Sequence, residues 1–277
     1  MQKRFYKQLY INHYQTDKCD IHCLYANGAN PRISSDEIHD YYEIIYFLSG
    51  DLELITEAGQ HRIQPGTAIV LPPHTYHKLL IDESRELYQR MIMGFYSIPE
   101  FDALIRMKVS NFALYQSEEL ERLYRKFCML FDSDLSTVER DAMGKAFFAQ
   151  ILVHFNPLNQ KKADPLYDIN PIIQNTIEYI NRNYHLPLTS SQLASLQNVS
   201  YSYLTSNFKA EMNTTIHNFL LSKRLIAAAE KLARGEKPTQ VALDCGFNDY
   251  SGFYKQYKKA FRISPSSPQK PFVSYHK

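Results

Sequence analysis

The sequence predicts a multidomain α+β chain. An N-terminal antiparallel β-barrel of the jelly-roll kind, with helices after it, precedes an all-α C-terminal domain of two helix-turn-helix units. Three observations carry that expectation. From about residue 19 to 97, short runs rich in Tyr, Ile, Val and Leu alternate with turn pairs. After Pro99 the apolar spacing becomes helical. Near the end, one stretch recurs at an offset of 48 to 49 residues.

At 277 residues the chain is long enough for two cores. Its longest apolar stretch, around Ala146 to Phe155, is broken by Gln150 and His154, so no membrane span is expected. The start, Met-Gln-Lys-Arg-Phe-Tyr, resembles neither a signal peptide nor an anchor, which predicts a soluble cytoplasmic protein. Cys19 and Cys23 fall in an alternating, strand-like segment. They would stand about 13 Å apart there, too far to bridge. Without a Cys-x-x-Cys pair, structural zinc is not expected. Charge is uneven: residues 161–277 hold 15 Lys/Arg against 8 Asp/Glu, a net +7, whereas residues 1–160 carry −5. The back half is the one suited to a polyanion.

In chain order, Glu43-Ile-Ile-Tyr-Phe-Leu48 reads as a buried strand. Leu52, Leu54 and Thr56 alternate with Asp51, Glu53 and Ile55, and turns are expected at Gly50-Asp51, Ala58-Gly59, Pro65-Gly66 and Pro72-Pro73. Such short strands fit a barrel or jelly roll. Leu120, Leu123, Phe127 and Leu130 then recur at helical spacing. A second helix is expected from about 136 to 155, with Ala142, Ala146, Ile151 and Phe155 on related faces. Two readings stand side by side: these helices close the barrel, or they also carry a dimer seam. Residues 156–165 have linker composition, which divides the chain into 1–160, a linker over 161–170, and 171–277.

The repeat joins Leu193-Ala194, Asn198-Val199, Leu204 and Phe208-Lys209 to Val241-Ala242, Gly246-Phe247, Phe253 and Tyr257-Lys258. Small Ala194 and Ala242 let two helices approach. Asn198 and Gly246 are types that tolerate a left-handed turn. Thr189 and Gln192 form a capping-box pattern, and Thr215 begins a long helix through Leu220, Arg224, Ala228 and Leu232 that joins the units. Either copy alone would pass for an ordinary helical hairpin. Two copies in a basic segment, with polar outer faces on each second helix, point to DNA.

The stretch Ala242-Leu-Asp-Cys245-Gly246-Phe247-Asn-Asp249-Tyr-Ser251-Gly-Phe253-Tyr-Lys255-Gln-Tyr257-Lys258-Lys259-Ala-Phe261-Arg-Ile-Ser264-Pro265 resembles the signature of the AraC-type (AraC/XylS) transcription regulators. The resemblance covers about residue 171 to the end. It implies base-edge contacts at Ser202, Thr205 and Ser206 of the first recognition helix and at Tyr250, Ser251, Gly252 and Lys255 of the second. Lys255 is the best single candidate, since an ammonium can donate to guanine or phosphate. Lys209, Lys258 and Lys259 are phosphate contacts or solvated surface. Three positions depart from the family pattern. Gly252 stands for an aromatic inside the recognition helix, where Gly costs about 1 kcal/mol against Ala. Arg262 replaces a glycine, and Pro268-Gln269 replaces Tyr-Arg, so a short or displaced last helix is expected.

In front, His39-Asp-Tyr-Tyr-Glu43 with Gly50, then Gly66, Pro72, His74 and His77, resemble the two cupin motifs. Cupin sensors commonly precede AraC-type DNA-binding domains, so the resemblance implies a small effector in the barrel at His39, Tyr41, Glu43, Tyr46, His74 and His77. Tyr41, Tyr42, Tyr46 and Tyr76 suit a sugar or an aromatic acid equally. It implies further a homodimer acting on double-stranded DNA with RNA polymerase, as activator or repressor, with no catalytic residue, cofactor or metal. The alternative is a metal-dependent cupin enzyme fused to a DNA-binding domain, its ligands Glu37, His39, Glu43 and His77. Against it, Glu37 replaces the first histidine and the later part of the second motif is absent. An architectural DNA binder would have no use for a cavity.

Overall fold

The computed structural model describes residues 5–11, 21–27, 37–39, 41–82, 88–95, 112–130, 133–155, 158–161, 165–167, 169–261, 263–267 and 274–276. Nine strands build the front of the chain: β1 (Phe5–Ile11), β2 (Ile21–Asn27), β3 (Glu37–His39), β4 (Tyr42–Ser49), β5 (Asp51–Thr56), β6 (Gly59–Ile63), β7 (Thr67–Leu71), β8 (His77–Asp82) and β9 (Gln89–Phe95). Four shorter ones follow: β10 (Ala113–Tyr115), β11 (Gln160–Lys161), β12 (Pro165–Tyr167) and β13 (Ser274–His276). They form two antiparallel sheets, one of order β1-β2-β9-β4-β7-β10-β11, the other β12-β6-β5-β8-β3-β13. The expected turns hold, with positive φ at Gly50, Gly59 and Gly66. Strand β1 precedes the region where strands were expected. Cys19, Arg262, Pro268 and Gln269 lie outside the described residues.

Alternation along each strand sorts side chains between faces. On β4, Ile45 and Phe47 join Leu52, Leu54, Leu79 and Tyr88 between the sheets. Ile44 and Tyr46 point the other way, into a core with Met91, Met93 and Phe95 of β9. Two helices cover that outer face: α1 (Glu118–Met129), capped by Ser117, and α2 (Thr137–Val153), opened by a capping box of Ser136 and Glu139. Leu120, Leu123, Phe127 and Leu130 are all buried in this core. The stripe is therefore interior to one subunit, and a dimer seam would need the opposite faces, where Met129, Val138, Met143 and Val153 are exposed. On α2 the buried face is Gly144, Phe148, Ile151 and Leu152, followed by Phe155. Ala142 and Ala146 are exposed, which corrects the expected face by part of a turn.

The linker-like segment is tied down at two points. Strand β11 pairs with β10, and β12 with β6. Six helices follow: α3 (Pro171–Asn183), α4 (Ser190–Leu196), α5 (Tyr201–Met212), α6 (Ile216–Ala233), α7 (Pro238–Asp244) and α8 (Tyr250–Phe261). Helix and turn were expected to run to the end. Instead β13 returns to the barrel and pairs with β3, Tyr275 opposite Ile38. Among the described residues no helix is long and apolar enough to cross a membrane.

Candidate functional site

Each helical unit is built around the same turn. In the first, Asn198 takes φ 55; its N–H donates to Ser195 O (3.1 Å) and that of Val199 to Ala194 O (3.0 Å). In the second, Gly246 takes φ 83, and the same pair of bonds runs from Gly246 to Leu243 O (3.0 Å) and from Phe247 to Ala242 O (3.0 Å). This is a Schellman closure, which satisfies two terminal carbonyls and needs a left-handed residue at its centre. Val199 and Phe247 pack partly buried against the two cores, and Ala194 and Ala242 are buried at the helix crossings.

The recognition helices α5 and α8 start at different caps. Ser200 Oγ accepts from the Tyr203 N–H, and Asp249 Oδ1 accepts from the Gly252 N–H at 2.7 Å. Asn248 is the extra residue of the second turn. Gly252 thus sits in the first turn of α8 with its N–H capped, a place where glycine costs less than in a helix interior. Leu204, Phe208 and Met212 bury one side of α5, and Phe253 and Tyr257 one side of α8. Ser202, Ser206 and Lys209 are exposed on the other side of α5, and Ser251, Lys255 and Lys258 at the matching positions of α8. Thr205 is half-buried with its hydroxyl donating to Tyr201 O (2.9 Å), and Tyr250 is half-buried against Phe253. Lys259 is exposed. Sequence reasoning missed Tyr201, 56% exposed at the head of α5. Its signal was available, since it lies 49 residues before Tyr250.

Helix α6 holds the units together. Thr215 caps it, and its 18 residues span roughly 27 Å. Its first half (Ile216, Phe219, Leu220) belongs to the first unit's core and its second half (Leu225, Ile226, Ala228, Ala229, Leu232) to the second's. Arg224, at its middle, donates from Nε to Tyr184 O and from Nη2 to Leu186 O, both at 2.7 Å.

The barrel brings its predicted residues together selectively. His39, Glu43 and His77, from β3, β4 and β8, converge: one ligand atom from each lies within 4.8 Å of the others, and all three side chains are buried. Glu43 Oε2 stands 3.5 Å from His39 Nε2 and 3.2 Å from His77 Nε2, and Glu37 Oε2 is 3.4 Å from His77 Nε2. Burial pushes the Glu43 carboxyl up, but contacts with His39 and His77 outweigh it and hold the group well below the usual carboxylate range. Burial likewise pushes His77 down, yet Glu37 and Glu43 raise it to about 10. Tyr41 stacks on His39, centroids 4.1 Å apart.

Tyr46 and His74 are not brought to this cluster. Tyr46 has the opposite parity to Glu43 on β4 and stacks on Tyr124 of α1 at 3.8 Å, beneath the helices. His74, at φ 66, turns outward and pairs with Glu230 of α6. Residues not singled out from the sequence also lie inside: Arg90, buried 5.7 Å over the Tyr88 ring, and His61, held low by burial. Their signal was weak, since any strand residue of the right parity shares it.

The sheet containing β8 packs on the helical domain. Ile38 is buried in the second unit's core, and Tyr76 in the first's, its hydroxyl donating to Met212 O at 3.3 Å. Each is next in sequence to a cluster histidine. Lys223 of α6 pairs with Glu57 and donates to His74 O (3.1 Å), while Asn181 donates to Glu57 Oε2 (2.6 Å).

Comparison with known proteins agrees with this geometry. A family described as a helix-turn-helix domain matches residues 193–270, and one described as an AraC-like ligand binding domain matches residues 18–143. The chain is 31% identical over 115 residues to an HTH-type transcriptional regulator in the cgkA 5' region of Pseudoalteromonas carrageenovora, covering 42% of this chain and 69% of that one. It is 24% identical over 242 residues to LumQ, a probable transcriptional regulator of Photobacterium leiognathi, covering 83% and 90%. Among solved structures, ToxT of Vibrio cholerae is similar over 96% of both chains at 14% identity, TM-score 0.40. The C-terminal domain of AraT from Geobacillus stearothermophilus is 29% identical over 36% of this chain and 85% of that one, TM-score 0.35.

Proposed function

The chain belongs to the AraC-type transcription regulators, and from that premise we propose that one subunit reads two segments of DNA while a small molecule in the barrel sets how freely it does so. The family and the relatives are transcriptional regulators, not enzymes, so the enzyme alternative has no support.

One observation carries the DNA reading. Ser202, Ser206 and Lys209 stand on α5 as Ser251, Lys255 and Lys258 stand on α8, exposed at identical spacing on two helices joined by one rigid strut. In this reading serine, threonine and Lys255 meet base edges, with Tyr250 and the open backbone at Gly252 beside them, and Lys209 and Lys258 meet phosphate. The roughly 27 Å strut falls short of the ~34 Å repeat of DNA, so both helices engage fully only if the DNA bends.

The effector reading rests on the cluster and its neighbours. A ligand that moves His39 or His77 moves Ile38 or Tyr76, and so the seam with both units. His39, Tyr41, Glu43 and His77 are its proposed contacts; Tyr46 and His74 serve the core and the seam. A sugar or an aromatic acid fits the polar and aromatic lining equally. We place the protein in the cytoplasm as a homodimer that works with RNA polymerase. Footprinting tests the DNA reading: two protected major-groove segments one turn apart are expected for each bound subunit, and protection of a single segment per subunit would overturn it.

A further inference from the structure

We propose that the outer face of the front domain's second sheet is the C-terminal cap of the first recognition helix, so that Gln60, Tyr76 and Lys78 are positioning residues for the DNA segment that α5 reads. The inference rests on the reading of α5 as a recognition helix and adds what holds that helix in place.

An α-helix ends on carbonyls for which it has no further N–H of its own. At the end of α5, three consecutive carbonyls are answered from the other domain. Gln60 Nε2 donates to Glu211 O at 3.0 Å, the Tyr76 hydroxyl to Met212 O at 3.3 Å, and Lys78 Nζ to Asn213 O at 3.3 Å. Asn213 takes the left-handed conformation, φ 49, that turns the chain out of the helix. The sheet sets these donors in place. Gln60 on β6 and Lys78 on β8 both pair with Ile55 of β5, so they flank it in one row, about 10 Å apart. Alternation turns Tyr76 and Lys78 away from the side on which His77 meets Glu43. The Tyr76 ring is anchored in the first unit's core, edge-on to Phe219 with centroids 5.2 Å apart. The Lys78 ammonium, besides donating, meets the negative end of the helix dipole.

The effect of this cap falls on the DNA face. The last turn of α5 carries Lys209, and Ser206 stands one turn before it. Helix ends fray where their carbonyls are met only by water, and fraying here moves both side chains. The end is also tied to the start of α3, where Glu211 Oε2 accepts from the Asn170 N–H at 2.9 Å. The second recognition helix is held differently. Among the described residues the sheet donates no hydrogen bond to the last turn of α8, and it meets that unit's core through apolar Ile38. The front domain therefore closes the end of one recognition helix and not of the other.

The test uses the full chain, Tyr76→Phe, and a triple variant of similar side-chain volume, Gln60→Met with Tyr76→Phe and Lys78→Met. Amide hydrogen exchange, read on the free protein, should speed up at least about 10-fold in the last turn of the triple variant's α5, with α8 unchanged. Footprinting should then show the α5 segment less protected and the α8 segment protected as before. Tyr76→Phe removes one oxygen from a ring that stays packed; it should show the same pattern in smaller degree, and it decides if the triple variant misfolds. Lys78→Arg in place of Lys78→Met should restore part of the protection. Exchange unchanged in α5, or raised equally in both recognition helices, overturns the proposal, since the bonds then carry nothing or serve only overall stability. A triple variant that frays α5 yet protects both segments as wild type does overturns the positioning role. A wild-type footprint lacking the α5 segment overturns the DNA reading of α5 and with it that role, while the exchange data, taken without DNA, decide the cap by themselves.

Discussion

Replacing Gly246 with alanine puts a methyl group where the two helix-turn-helix units meet. The residue sits at φ 83, a left-handed conformation that costs an L-residue about 1–2 kcal/mol. A Cβ there would lie 2.7 Å from His185 O and 2.9 Å from its carbonyl carbon, and 3.0 Å from Arg224 Nε. Two of those neighbours are backbone and cannot rotate away, so the 184–186 loop must shift. That loop carries the Tyr184 and Leu186 carbonyls to which Arg224 donates. Overpacking of this kind adds about 1–3 kcal/mol. G246A should therefore lose roughly 2–5 kcal/mol in the helical domain's unfolding. Urea denaturation of the full chain, followed by far-ultraviolet circular dichroism, measures it. Asn198→Gly at the equivalent turn is the control and should change stability by less than about 1 kcal/mol. G246A within about 0.5 kcal/mol of wild type would refute the account of this turn.

Leu123→Lys buries an unpaired charge beneath the barrel sheet and should unfold the front domain rather than yield a folded monomer; Val138→Lys, on the exposed face, should leave the melting curve unchanged. Lys255→Ala should weaken DNA binding and relax preference only in the segment read by α8, lowering the salt slope by about 0.9 if the ammonium meets phosphate. Ser206→Ala should act more mildly and only in the other segment; footprints of the two variants check both. At the seam, Glu230→Gln should cost under about 1 kcal/mol, because the pair with His74 is about one third exposed, yet it should change DNA affinity. Burial raises the Glu230 carboxyl, and His74 more than reverses that. The pair's contribution is then present above the ordinary carboxylate pKa of about 4.3 and lost as pH falls through the lower folded value, a loss E230Q should abolish. Gly252→Ala should keep or gain up to about 1 kcal/mol, since its Cβ meets Asp249 only at ordinary contact distance.

What the chain's local order determined is the part whose causes are local. Asn198 and Gly246 close their turns because a Schellman motif needs a left-handed residue at its centre, and its two bonds lie within six residues. Caps at Thr189, Ser200 and Thr215, the hairpin glycines, and the exposed rows Ser202–Lys209 and Ser251–Lys258 follow from the same short reach. Tertiary structure decided what depends on partners far along the chain. The Leu120–Leu130 stripe could have faced a second subunit or the barrel; packing against Tyr46, Met91 and Met93 put it inside. The parity of β4 separated Tyr46 from Glu43, although both lie in one aromatic run. The strand β13, unmarked by composition, found β3 across more than two hundred residues. Above all, three strands set His39, Glu43 and His77 within 4.8 Å of one another, while the neighbours Ile38 and Tyr76 entered the cores of the two helical units. Period and spacing report which face a residue takes on its own element. Which element lies against that face is settled only when the whole chain has buried its apolar surface at once.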